Sequence, residues 1–167
     1  MNLILIGMRG SGKSTVGSIL AQKMGRAFYD MDALVTQRAG ITIAEIVRMH
    51  GWETFRDQEA AMIQEVAEQT KVIIAPGAGA ILKKSSVEIL AQHGTFIWLK
   101  ASVEQLLKRL ENDTCRPSLL GNKTCSEEME EIWAQRKHLY AQTADIVVET
   151  DHKTPEEVAL ELLALEL

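Results

Sequence analysis

Residues 7–15 read GMRGSGKST, between an apolar run at 3–6 and a helix-forming segment that starts at Lys13. Gly7, Gly10, Gly12, Lys13 and Ser14 stand at the spacing G-x-x-x-x-G-K-[ST], the Walker A phosphate loop. Each part has a physical reason. Glycines let backbone N–H groups turn inward around an anion without a Cβ in the way. The helix that follows offers its N-terminus to negative charge. Lys13 is expected to reach the β- and γ-phosphates, and Ser14 to hold Mg²⁺. The cradle should run from Gly10 through Ser11, Gly12, Lys13 and Ser14 to Thr15. A chance glycine-rich turn is the alternative, and the strand in front and helix behind argue against it.

Around this loop the chain alternates strand-like and helix-like segments, the pattern of an α/β domain with a parallel sheet. Continuous apolar runs at 3–6, 72–75 and 95–99 suit strands covered on both faces. Shorter strands are expected at 27–30 and 145–148, and helices at 13–24, 52–69, 84–92, 102–110, 125–140 and 155–166. Thr154-Pro155-Glu156-Glu157 is a good helix start, with a capping Thr, Pro in the first turn and two acids. Repeats and linkers are absent, so residues 1–167 are expected to form a single domain. The segment 111–124, ENDTCRPSLLGNKT, is polar and separates two helices. Loops of that length in compact domains tend to be functional, and this one, carrying Arg116, is expected to be a lid.

Bulk properties narrow the partners. A net charge of −5 with no basic run argues against a nucleic-acid surface. No apolar stretch approaches the roughly 18–20 residues that cross a bilayer, so no membrane partner is expected. The chain reaches its phosphate loop by Gly7, which leaves no room for a leader peptide. Two cysteines, Cys115 and Cys125, are too few for a disulfide scaffold. The expectation is a cytoplasmic monomer with free thiols.

Two further groups of residues carry chemistry. In FYDMDALV, Asp30 and Asp32 alternate on what reads as an extended chain, so their carboxylates are expected to share one face. One could order Mg²⁺ and the other orient or deprotonate an attacking hydroxyl; the alternative is a helix cap for 33–39 and a solvated acid. In SEEMEEIWAQRKHLY, helical spacing puts Arg136 on the stripe of Met129, Trp133 and Tyr140. An inward guanidinium needs a fixed anion. Arg56 lies similarly between Trp52 and Ile63, with Glu59 three residues on as a possible partner. Structural ion pairs would explain each arginine alone. Together, beside a phosphate loop, they suggest bidentate grip of an anionic acceptor. Gly77 and Gly79, in VIIAPGAGAIL, mark where backbone can approach a ligand, or a plain strand-to-helix turn.

Taken in order, GMRGSGKST, DMD, FRDQE, PGAGA, RPSLL, AQRKHLY and VETDHKTP resemble the shikimate kinase family over nearly the whole chain. The resemblance implies a P-loop NTPase of the nucleoside-monophosphate-kinase-like type. That fold is a three-layer sandwich with a five-stranded parallel sheet in the order 2-3-1-4-5. It also implies ATP and Mg²⁺, with transfer of the γ-phosphoryl group to the 3-hydroxyl of shikimate in aromatic amino-acid biosynthesis. By position, Asp32 would serve the substrate hydroxyls as general base, and Asp30 the Mg²⁺ shell. Arg56 and Arg136 would clamp the carboxylate, and backbone at Gly77, Ala78 and Gly79 would hold hydroxyls. Arg116 would close over the transferring group, with Arg109 and the loop before Pro155 near the adenine. Two departures stand out. Ala78 replaces the middle of three glycines, which would be strained if a positive φ were needed there. Ser118 interrupts the lid pattern Arg-Pro-Leu-Leu. Alternatives are a related small-metabolite kinase, such as one for gluconate, or a degenerate nucleotide-binding regulatory protein.

Overall fold

The computed structural model describes residues 1–111 and 124–167. Arg116, Ser118, Cys115 and most of the expected lid lie outside the described residues. Five strands form one parallel sheet in the order β2-β3-β1-β4-β5: β1 Asn2–Ile6, β2 Phe28–Asp30, β3 Ile73–Ala75, β4 Gly94–Lys100 and β5 Ile146–Glu149. The helices are α1 Lys13–Met24, α2 Met31–Ala39, α3 Ile43–Ala67, α4 Lys84–His93, α5 Val103–Leu110, α6 Cys125–Thr143 and α7 Pro155–Leu163.

Alternation along the strands divides the core into two halves. Leu3, Leu5, Ile73, Ile97 and Leu99 meet α1 and α7 on one face. Ile4, Ile6, Ile74, Phe96 and Trp98 face the larger group built from α2 to α6. Because both faces are covered, these strands read as unbroken apolar runs. The central strand, β1, lies between β3 and β4 and runs directly into the phosphate loop. The loop therefore opens at the carboxyl edge where the chain turns opposite ways, the usual ligand crevice of such sheets.

Two helical segments differ from expectation. The expected helix at 52–69 begins earlier, at Ile43, under a capping box in which Thr42 and Glu45 bond reciprocally. Gly51, at φ 83° and ψ 169°, breaks the helical path inside α3, which is why helical periodicity reads cleanly only from Trp52. The second concerns Asp30 and Asp32, which do not alternate on an extended chain. Asp30 ends β2 and caps α2, accepting from the N–H groups of Asp32 (3.1 Å) and Ala33 (3.2 Å). Asp32 thus lies in the first turn of a helix. The capping carboxylate satisfies N–H groups that would otherwise be orphaned, and this turns the chain.

Within α1, Gly17 packs directly against the ring of Phe28, and a Cβ at this position would overlap the ring. Gly17→Ala would gain about 1 kcal/mol of helix propensity and lose about 1–3 kcal/mol to overpacking. Net destabilisation is expected, read as a lower urea midpoint at unchanged m-value. A raised midpoint would show that Phe28 yields freely.

Candidate active site

A cleft of about 490 Å³ runs along the carboxyl edge of the sheet. Its floor is the phosphate loop from Gly10 to Thr15, and its walls include Asp30, Asp32, Ala78, Arg109 and Pro155. Gly10 (φ 81°) and Gly12 (φ 95°) occupy backbone regions that side chains rarely adopt, and Gly12 caps α1 in that conformation. Glycine is thus required by the turn itself. The Lys13 ammonium donates to the carbonyls of Gly7 (3.0 Å) and Met8 (3.2 Å), folding across the loop. Beside it the Ser14 hydroxyl donates to Asp30 Oδ2. Asp30 therefore combines the two readings left open by its sequence. One oxygen caps α2, and the other meets the serine of the phosphate loop.

At one end of the cleft, Arg109 joins three pieces of chain. Its guanidinium donates to the Thr150 carbonyl (2.7 Å), the Thr150 hydroxyl (3.1 Å) and the Gly10 carbonyl (3.3 Å). Thr150 is itself buried and bonds the Lys100 carbonyl at the end of β4. Lys153, Pro155 and Val158 continue this wall. Thr150 and Lys153 fall within the VETDHKTP motif, in the loop before Pro155, but were not singled out as residues; the pairing of β4 with β5 brings them to the cleft.

Beside the cleft, bonded to the turn that carries Pro76 and Ala78 but not itself lining the cavity, lies Glu59, which is 2% exposed. It accepts from Arg56 (2.7 Å) and from the Gly77 N–H (2.7 Å). Burial pushes its carboxyl above the ordinary range; the Arg56 charge opposes that shift and nearby Asp32 adds to it. Arg56 also lies 5.1 Å from the centroid of Phe55 and 5.7 Å from that of Trp52. Arg136 is 8% exposed, and its contact is a long one, 3.4 Å, to the Ala78 carbonyl. Burial lowers its pKa, Tyr140 opposes that, and the neighbouring Arg56 charge lowers it further. Among the described residues, Glu59 is the one carboxylate ion-paired with either arginine. Arg56 is thus neutralised by one buried acid, while Arg136, close enough to feel the Arg56 charge, has no ion-paired carboxylate among the described residues.

Gly77 and Gly79 are needed for a different reason from the phosphate-loop glycines. Neither has a positive φ, but a Cβ at Gly77 would collide with Glu59 and crowd Asp32, and one at Gly79 would collide with Arg56. Close approach, rather than a special dihedral, excludes side chains here. Ala78 is likewise absent from the positive-φ residues, so its methyl is accommodated without backbone strain. Arg56, Asp32, Gly77, Ala78, Gly79 and Arg136 therefore lie near one another. Tyr140 was expected only as an apolar stripe residue. It proves to be fully buried, with its hydroxyl donating to the Ala78 carbonyl at 2.6 Å.

Comparison with known proteins agrees with this architecture. The family model described as shikimate kinase matches residues 9–166. A shikimate kinase of Chromohalobacter salexigens is 38% identical over 161 residues, covering 96% of this chain and 89% of the relative. The structure of shikimate kinase from Acinetobacter baumannii in complex with shikimate superposes with a TM-score of 0.93 at 32% identity, covering 99% and 92% of the two chains. A gluconokinase from Sinorhizobium meliloti, at 22% identity and a TM-score of 0.58 over 98% of this chain and 89% of its own, shares the fold alone. With its ordered motifs, sheet order and cleft, the chain belongs to the shikimate kinase family, whose members are ATP-dependent kinases.

Proposed function

We propose that the cleft holds ATP along the phosphate loop and shikimate at the arginine end, and moves the γ-phosphoryl group to the 3-hydroxyl. The observation that carries this reading is that Arg56 and Arg136 lie near one another, while among the described residues only Arg56 is ion-paired with a carboxylate, that of Glu59. A planar carboxylate from the acceptor would supply the missing negative charge and satisfy both forks.

The roles follow from position. N–H groups from Gly10 to Thr15 and the Lys13 ammonium grip the phosphates. Asp32, on the cleft wall between the phosphate loop and the arginine end, aligns the 3-hydroxyl and takes its proton. The freed oxygen bonds the γ-phosphorus as the bond to the β-γ bridging oxygen breaks, leaving ADP. Backbone at Gly77, Ala78 and Gly79 borders the remaining hydroxyls, and Arg109 and Pro155 border the base. Arg116, outside the described residues, keeps its proposed place over the transferring group through the family resemblance.

Ser14 and Asp30 fit Mg²⁺. They present a hydroxyl and a carboxylate side by side in the phosphate cleft, a small donor set that leaves the remaining positions to phosphates and water. Among the described residues no cluster of three or more His, Cys, Asp or Glu forms a closed metal cage. When bound, the ion would neutralise charge on the β- and γ-phosphates. We also read the protein as a cytoplasmic monomer that binds neither nucleic acid nor membrane. Cys125 is a free, exposed thiol, and no described helix is long and apolar enough to cross a membrane.

ADP release from Mg-ATP should be strongly stimulated by shikimate and not by gluconate or nucleoside monophosphates; stimulation by another acceptor alone would overturn the assignment. Asp32→Asn should lower kcat by roughly 10²–10⁴-fold, the range for loss of a general base, with ATP affinity retained. Arg136→Met should raise the shikimate KM by roughly 100-fold, as expected for loss of charged hydrogen bonds. In the absence of substrates it should leave the protein as stable as before, or about 1 kcal/mol more so, because an apolar side chain replaces a buried charge. A large loss of substrate-free stability would mark Arg136 as a structural residue instead.

A further inference from the structure

The turn between β3 and α4 is held at three successive residues. Gly77 is fixed through its N–H to Glu59, and Gly79 lies against the Arg56 guanidinium. Between them the Ala78 carbonyl accepts two side chains from α6, the Tyr140 hydroxyl at 2.6 Å and Arg136 Nη1 at 3.4 Å. The distances rank these bonds: the phenol makes the strong one, and the guanidinium makes a long one that commits little of its donor capacity.

Tyr140 is rigidly placed. It is 0% exposed, and its ring stacks on Trp98 at 5.7 Å and 18° between planes. Trp98 in turn pairs with Ile6, the last residue of β1 before the phosphate loop. The hydroxyl is thus located by the central sheet and not by a mobile surface. A buried phenol needs an acceptor, whereas Phe would fill the same volume without one. The hydroxyl donates to the Ala78 carbonyl, and the Arg136 guanidinium lies close enough to interact with the phenol as well.

We infer that Tyr140 is a positioning residue for the acceptor's carboxylate. Its hydroxyl fixes the Ala78 carbonyl, and that carbonyl sets the Arg136 guanidinium at the angle from which it meets the anion. The inference rests on the proposed carboxylate clamp and adds to it the group that aims one arm. Without the hydroxyl, the Ala78 carbonyl would draw Arg136 into a closer bond, turning donors away from the ligand.

The test is Tyr140→Phe, assayed with shikimate and with its analogue carrying CH₂OH in place of the carboxylate. A rise of roughly 3- to 10-fold in shikimate KM is expected, the size of one hydrogen bond, with kcat and ATP KM within about 2-fold. The analogue's kcat/KM should not change, because it offers no anion to aim at. In an Arg136→Lys background, Tyr140→Phe should cost nothing further. Equal losses on shikimate and analogue, or full additivity with Arg136→Lys, would overturn the inference and leave Tyr140 as a packing residue. If wild-type protein used the analogue as well as shikimate, the clamp itself would fall, and this inference with it. A changed shikimate KM in Arg136→Met with none in Tyr140→Phe would sink the inference alone.

Discussion

Glu59 places a carboxylate inside the protein, and the structure between α3 and the turn after β3 is organised around the cost of that placement. A buried carboxylate must be paired and hydrogen-bonded. Arg56 supplies the opposite charge from the next turn of α3, and the Gly77 N–H supplies the second bond from the turn after β3. With backbone that close to both side chains, a Cβ at position 77 or 79 would have to displace Glu59 or Arg56. One ionic contact thus lies against two glycines and ties α3 to the turn after β3. Arg136, from α6, has no ion-paired carboxylate among the described residues, and in the proposed reading the acceptor's carboxylate completes the charge balance.

The nucleotide end follows a different logic. Its anchor is the turn out of the central strand, where glycines with positive φ free the backbone N–H groups for phosphate. Arg109 ties that turn to Thr150 and so to the loop that leads into α7. Asp30 links the phosphate loop to α2 by serving a cap and a serine at once. The two ends meet at Asp32, which lies two residues after the Asp30 cap, in the first turn of α2, and close to the crowded approach to Gly77. This proximity matches a reaction in which a hydroxyl must face a phosphoryl group in a water-poor cleft.

Legibility in the sequence tracked the range of the interactions involved. The phosphate loop, the cap at Thr154 and the buried strands rest on neighbours within a few residues, and all were readable. The stripe of α6 was readable too, since Arg136 and Tyr140 share a face by helical spacing. The helix 31–39 was readable only as an alternative, a capped helix over 33–39. It buries only Met31 and Val35, too few for a periodic signal, and its start depends on which way the Asp30 carboxylate turns. The first part of α3 was hidden by Gly51, whose backbone breaks the helical path that the capping box at Thr42 begins. At position 78, the feared strain does not arise, because the turn needs close approach and not a positive φ.

By itself, the sequence determined the chemistry on offer: a phosphate cradle, two acids after the second strand, two arginines on apolar faces and a pair of glycines near a strand end. These depend on residue type and spacing, which local geometry converts into structure. Only the tertiary structure decided which of them share a partner. The bonds of Glu59 with Gly77, of Arg109 with Thr150 and of Tyr140 with Ala78 join residues 18, 41 and 62 positions apart. No local pattern encodes such pairs, because they form only once the parallel sheet has brought its strand ends to one edge.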